Sequence, residues 1–123
     1  MARVLVIDDD AHMRRSLRRL LETAGHVVAE AGNGDQGLAL FASEPIDLVV
    51  TDILMPDKEG IETIRELRQR AAVPILAISG ASAGFGELDV LGFAQRLGAD
   101  DALAKPFRAR ELLDKVASML RGQ

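Results

Sequence analysis

The chain has 123 residues, which suits one domain at the usual scale of roughly 100–200 residues each, and 15 Lys and Arg against 19 Asp and Glu give a net charge of −4. That balance argues against a polyanion-binding surface. With no cysteine there is no disulfide framework, thiolate metal site or cysteine nucleophile, and with four Phe, no Trp and no Tyr there is no aromatic platform for bases or sugars. The apolar runs are strand-sized, short of the ~20 residues of a membrane span, and Met1-Ala2-Arg3 leads straight into a strand pattern rather than a signal peptide. The expectation is a single cytoplasmic domain over residues 1–123, with neither a membrane nor nucleic acid as direct partner.

Val4-Leu5-Val6-Ile7 is a short apolar run bounded by charge, as in a strand buried on both faces. The next stretch is helical, with Met13, Leu17, Leu20, Leu21 and Ala24 on one face and Arg14, Arg15, Arg18, Arg19 and Glu22 on the other. Gly25 is placed to end it. His26–Ala31 reads as a second strand, Asn33-Gly34 as a turn, and Asp35–Ser43 as a helix stopped before Pro45. Ile46–Thr51 is the third strand and Asp52–Gly60 a loop, followed by a helix with Ile61, Ile64 and Leu67 on one side. Val73–Ser79 is the fourth strand, and Gly80–Gly86, with three glycines, a loop. A helix over about Glu87–Leu97 is closed by Gly98, and Asp101–Ala104 is a short fifth strand. After Lys105-Pro106-Phe107 a last helix carries Leu112, Leu113, Val116, Ala117 and Leu120. Apolar strands alternating with helices predict a parallel sheet covered on both faces and wound by right-handed crossovers. Ligands of such sheets bind outside the carboxyl ends of the strands.

Strand one ends in Asp8-Asp9-Asp10, strand three meets Asp52, strand four ends in Ser79, and strand five runs into Lys105. Singly, each has a plainer role; an Asp triplet after a strand is commonly a turn and helix cap. Together they fall at one predicted edge. Two like charges there, 4 Å apart at an effective dielectric near 20, would repel by about 4 kcal/mol. Such a cluster calls for an offsetting cation, and carboxylate oxygens in a partly open site suit Mg²⁺. With a lysine and a hydroxyl alongside, the set fits a phosphoryl group, and an aspartate can serve as its nucleophile.

The stretches Val4–Asp10, Asp47-Leu48-Val49-Val50-Thr51-Asp52-Ile53-Leu54-Met55-Pro56-Asp57, Gly60, Ile78-Ser79-Gly80-Ala81, Gly98-Ala99-Asp100-Asp101 and Lys105-Pro106-Phe107 run the length of the chain. In them the sequence resembles the receiver domains of two-component response regulators, the family of the bacterial chemotaxis regulator. The resemblance implies a flavodoxin-like, doubly wound five-stranded parallel sheet in strand order 2-1-3-4-5 with five helices. It implies that Asp52 is the phosphoacceptor, and that Asp8, Asp9, Asp52 and the Leu54 backbone carbonyl hold Mg²⁺, with Mn²⁺ as an alternative. Ser79 and Lys105 would bind phosphoryl oxygens, and the bond before Pro106 would be cis. The phosphodonor would be a histidine kinase or a histidine phosphotransfer protein. The output would be contact with a downstream protein through the face of the fourth helix, fifth strand and fifth helix, the domain being a monomer or a phosphorylation-dependent dimer. It would catalyse only its own phosphorylation and dephosphorylation, and so is not expected to be an enzyme in the ordinary sense.

Three departures stand out. Ala102 occupies the position where most receivers carry an aromatic switch residue. The segment between Ser79 and Gly98 is several residues longer than the family's common spacing, the extra length falling in Ala81–Gly86 with Phe85 at its apolar tip; it is expected either to take over part of the switch role or to be a tolerated insertion. Leu54 and Ala81 stand where the family controls access of water to the phosphoryl group, which predicts slow hydrolysis. The arginines of the first helix read equally as a solvated face or as a docking surface for a phosphodonor's helices. His12 is expected to be exposed, and neither it nor His26 is a candidate catalyst. Asp57 and Glu59 are assigned to a turn and helix start. Two other classes are carried: a receiver-like module that binds partners without phosphorylation, and a small Mg²⁺-dependent phosphohydrolase with an aspartyl nucleophile.

Overall fold

A computed structural model describes residues 2–53, 59–80, 92 and 94–122. In chain order the elements are β1 (Arg3–Ile7), α1 (Ala11–Thr23), β2 (Val27–Ala31), α2 (Gly34–Ser43), β3 (Leu48–Asp52), α3 (Glu59–Arg70), β4 (Ile75–Gly80), the described end of a helix α4 (94–97), β5 (Asp101–Lys105) and α5 (Ala109–Arg121). All strand pairings are parallel and the sheet order is β2-β1-β3-β4-β5, as the resemblance implies.

The two-residue period of a strand sends alternate side chains to opposite faces, and it divides the core in two. Val4, Val6, Leu48, Val50, Leu76, Ile78 and Leu103 pack with Leu17 and Leu21 of α1 and Leu112 and Val116 of α5. Leu5, Ile7, Val49, Ile75, Ala77 and Ala102 pack on the other face with Ile64 and Leu67 of α3 and Ala94 and Leu97 of α4. Both faces are therefore apolar, which is why the central strands read as continuous runs. Each large side chain among these stabilises the fold by roughly 1.5–3 kcal/mol when fully buried.

Local signals set the helix ends. The Asp10 carboxylate accepts from the backbone N–H groups of His12 and Met13 at the start of α1, and Asn33 caps α2 by accepting from Gln36. Gly25 and Gly98, after α1 and α4, have φ of +91° and +115°, the left-handed region that glycine enters at no steric cost.

Several boundaries differ from the sequence reading. Strand β2 starts at Val27, because the His26 N–H bonds back to the Leu21 carbonyl and belongs to the turn that ends α1. Strand β4 starts at Ile75, since Pro74 has no N–H for the ladder, although its carbonyl accepts from Val49. Strand β3 begins at Leu48 and extends through Asp52, which pairs with Ile78, so Asp52 closes the strand instead of opening a loop. Strand β5 likewise runs on to Lys105, paired with Gly80. Ala24 is an exposed cap of α1, not part of its apolar face.

Candidate functional site

The rungs Ile7–Thr51, Asp52–Ile78 and Ser79–Ala104 set the carboxyl ends of β1, β3, β4 and β5 side by side. Asp8, Asp52, Ser79 and Lys105 thereby meet on one edge, as the sequence predicts. Asp8, Asp52 and Ser79 are buried, while Asp9 is exposed beside them. One carboxylate oxygen from each of Asp8, Asp9 and Asp52 can be chosen so that all three lie within 4.8 Å of one another.

Lys105 Nζ lies 3.3 Å from Asp52 Oδ2 and donates to it, and is 3.7 Å from Asp8 Oδ2. Asp8 Oδ1 accepts from the Asp10 N–H at 2.9 Å, whereas the buried Asp8 Oδ2 has no hydrogen-bond partner among the described residues. Burial pushes the Asp8 carboxyl above the ordinary carboxylate range. The Asp10 N–H and Lys105 pull the other way, and Asp52 and Asp9 add repulsion. A buried carboxylate oxygen left unsatisfied next to two further carboxylates is a donor set that fits a hard divalent cation. Leu54, whose backbone carbonyl was assigned as a further ligand, lies outside the described residues, as do Ala81, Phe85 and Asp57.

Ala102 is buried on the α3 and α4 face of the sheet, paired with Ala77. The Lys105–Pro106 peptide bond is cis, as expected. His12 is exposed. Next to the acidic edge, Met13, Leu17, Leu20, Pro106 and Phe107 line an apolar groove that Lys105 also borders.

The basic face of α1 is not uniform. Arg14 donates through Nε to Glu30 Oε1 at 3.2 Å and through Nη1 to the Asp8 carbonyl at 2.7 Å, and Arg18 Nη1 donates to Glu30 Oε2 at 2.8 Å. Of the four arginines, Arg14 and Arg18 are engaged by a glutamate on β2, while Arg15, Arg18 and Arg19 are exposed. A helix pattern alone carries no signal for that glutamate, which lies 16 residues from Arg14 and 12 from Arg18.

The family profile described as "Response regulator receiver domain" matches residues 4–117. The chain belongs to the response regulator receiver family. Transcriptional regulatory protein CpxR of Klebsiella pneumoniae is 41% identical over 122 residues, covering 98% of this chain and 50% of that protein. Transcriptional regulatory protein ResD of Bacillus subtilis is 38% identical, covering 97% of this chain and 48% of its own length. The receiver thus spans about half the length of these curated relatives. Among solved structures, a receiver domain protein from Clostridium thermocellum superposes with a TM-score of 0.86 at 30% identity, covering 98% of this chain and 95% of the other. The chemotaxis response regulator CheY4 of Vibrio cholerae does so with 0.83 at 29% identity, covering 97% and 98%. These likenesses bear out the receiver fold expected from the sequence and support a phosphoacceptor role in a two-component system. No helix among the described residues is long and apolar enough to cross a membrane.

Proposed function

We propose that this receiver takes a phosphoryl group from a phosphohistidine onto Asp52 in a Mg²⁺-dependent reaction, and that the phosphorylated form changes its contacts with a downstream protein. The observation that carries this reading is the buried Asp52 carboxylate, held by Lys105 at 3.3 Å at the centre of an acidic cluster with an unsatisfied Asp8 oxygen. An Asp52 carboxylate oxygen attacks phosphorus as the bond from phosphorus to the imidazole nitrogen breaks, leaving an acyl phosphate on Asp52 and the imidazole on the donor. Lys105 already lies on Asp52 and can shift onto the incoming phosphoryl oxygens, while the Ser79 hydroxyl, at the end of the neighbouring strand, donates to another. Asp8 and Asp9, with Asp52, would hold Mg²⁺, which when bound supplies the charge to offset the developing oxyanions. The chain would act on its own aspartate only, in the cytoplasm.

The phosphodonor, a histidine kinase or histidine phosphotransfer protein, would approach over α1. The apolar groove at Met13, Leu17, Leu20 and Phe107 offers a seat for an amphipathic helix, and the exposed Arg15 and Arg19 on the same helix α1 would meet acidic groups of the donor. Because Ala102 provides no aromatic ring to rotate, the output would leave the site by another route than the family's usual one. Binding of a partner equally to unmodified protein and to Asp52→Asn would favour the phosphorylation-independent reading instead.

Intact mass after incubation with Mg²⁺ and a small phosphodonor tests the chemistry. A single phosphoryl adduct is expected that requires both Mg²⁺ and Asp52 and is absent from Asp52→Asn. No adduct in a protein shown to bind Mg²⁺, sampled fast enough to exclude hydrolysis, would overturn the proposal.

A further inference from the structure

The peptide unit that joins Asp8 and Asp9 follows Ile7, the last residue of β1. The unit before it is anchored conventionally: the Asp8 N–H donates to the Ala31 carbonyl of β2 at 3.1 Å. The Asp8 carbonyl, where the chain leaves the sheet for α1, is held by a side chain instead, with Arg14 Nη1 at 2.7 Å. Arg14 is half-buried and is itself braced, since its Nε bonds Glu30 Oε1 and the other Glu30 oxygen is taken by Arg18. The carbonyl oxygen of Asp8 and the N–H of Asp9 lie in one rigid plane. Holding that oxygen therefore sets the direction in which both residues leave the strand, and with it the aim of two of the three carboxylates that meet within 4.8 Å. A guanidinium suits this task because its planar fork can serve two acceptors at a fixed angle.

We propose that Arg14 is a positioning residue for the cation site: through the Asp8 carbonyl it orients the Asp8–Asp9 peptide, and Glu30 orients Arg14. This rests on the Mg²⁺-dependent reading of the acidic edge. Arg14 would touch neither the cation nor the phosphoryl group; it decides how well the carboxylates are preorganised to receive them.

The chain has no Trp or Tyr to report binding, so Mg²⁺ is titrated calorimetrically into the wild type, Arg14→Met, Arg14→Gln and Glu30→Gln, with a thermal melt of each. Arg14→Met and Arg14→Gln are expected to weaken Mg²⁺ binding about ten-fold, the scale at which groups behind metal ligands act. Glu30→Gln removes the charge of the cross-link between α1 and β2 but keeps an amide oxygen that can brace Arg14, and leaves the bond to the Asp8 carbonyl, so its melting temperature falls while its Mg²⁺ affinity falls far less than in the Arg14 variants. A folded Arg14→Met or Arg14→Gln with wild-type affinity overturns the proposal, as does an equal loss in Glu30→Gln, which would make the ion pair itself the cause. If Arg14→Met does not fold, the shorter polar Arg14→Gln decides. A wild type that binds no Mg²⁺ at all overturns the underlying reading of the site, a result distinct from binding that ignores Arg14.

Discussion

The two ends of the sheet use charge in opposite ways. At the amino ends the carboxylates are consumed by the fold. Asp47 Oδ2 accepts from the Arg3 N–H at 2.8 Å, and Asp100 Oδ2 accepts from both the Ile75 N–H at 2.8 Å and Arg68 Nη2 at 2.7 Å. Arg68 further donates to the Gly98 carbonyl, binding the end of α3 to the turn before β5. At the carboxyl ends three carboxylates gather within 4.8 Å, two of them, Asp8 and Asp52, facing Lys105, and Asp8 keeps a buried oxygen with no hydrogen bond among the described residues. The first end is arranged for stability. The second buries Asp8 where its ionised form is disfavoured, which is the arrangement a cation site calls for.

Substitutions of the carboxylates at the two ends should therefore differ in sign as well as size. The largest effect is expected where the fold comes closest to the reactive strand. A Cβ at Gly60, in the first turn of α3, would overlap the Asp52 carbonyl oxygen and stand 2.6 Å from that of Ile53. Backbone cannot yield as a side-chain tip can, so Gly60→Ala should destabilise by about 2–3 kcal/mol and also slow phosphorylation of Asp52. Chemical denaturation and the rate of adduct formation by mass check the two halves. A variant of wild-type stability and rate would mean that the start of α3 is free to move away from β3.

At the amino end, Asp100→Ala should cost about 2 kcal/mol, because it leaves the buried Ile75 N–H without that acceptor and Arg68 without its carboxylate. Phosphorylation should be untouched. A loss under 0.5 kcal/mol, about the level of an ordinary exposed ion pair, would remove the stabilising half of the comparison. At the carboxyl end, Asp8→Asn should do the reverse. It removes a carboxylate whose ionised form is disfavoured by burial while keeping an acceptor for the Asp10 N–H. In Mg²⁺-free buffer the variant is expected to be more stable by about 1 kcal/mol, and adding Mg²⁺ should shrink the gap by stabilising only the wild type. Melting curves with and without Mg²⁺ decide it; a destabilised variant in both would show that Asp8 serves the fold first.

The active end was more legible in the sequence than the stabilising end. Asp8, Asp9, Asp52, Ser79 and Lys105 stand at or just beyond the carboxyl ends of their strands, and parallel winding alone brings such strand ends together. The division of the core is written in the alternation of Val4, Leu5, Val6 and Ile7. What the pattern could not carry is pairing across elements. Nothing local to Asp100 announces Arg68, 32 residues away, and nothing in the arginine-rich face of α1 announces Glu30. Boundaries failed for a related reason. Asp52 and Lys105 are polar and were set outside their strands, yet the ladder includes both, since backbone pairing does not depend on side-chain polarity.

The smallest effect lies in the staple that joins α1 to β2. Arg18, and with it Arg14, holds the Glu30 carboxyl below the ordinary carboxylate range against the opposing effect of burial. A carboxyl depressed in the folded protein contributes stability above its unfolded value, near 4.5, and loses it as the pH falls through the folded value. Wild-type stability should therefore drop on acidification below about pH 4.5 more steeply than that of Glu30→Gln, by a few tenths of a kcal/mol for this partly exposed pair. Melting temperatures of both proteins across that window measure the difference. Parallel curves would show that Glu30 contributes no proton-linked stability and serves only to orient Arg14, which would separate the staple's part in the fold from its part at the site.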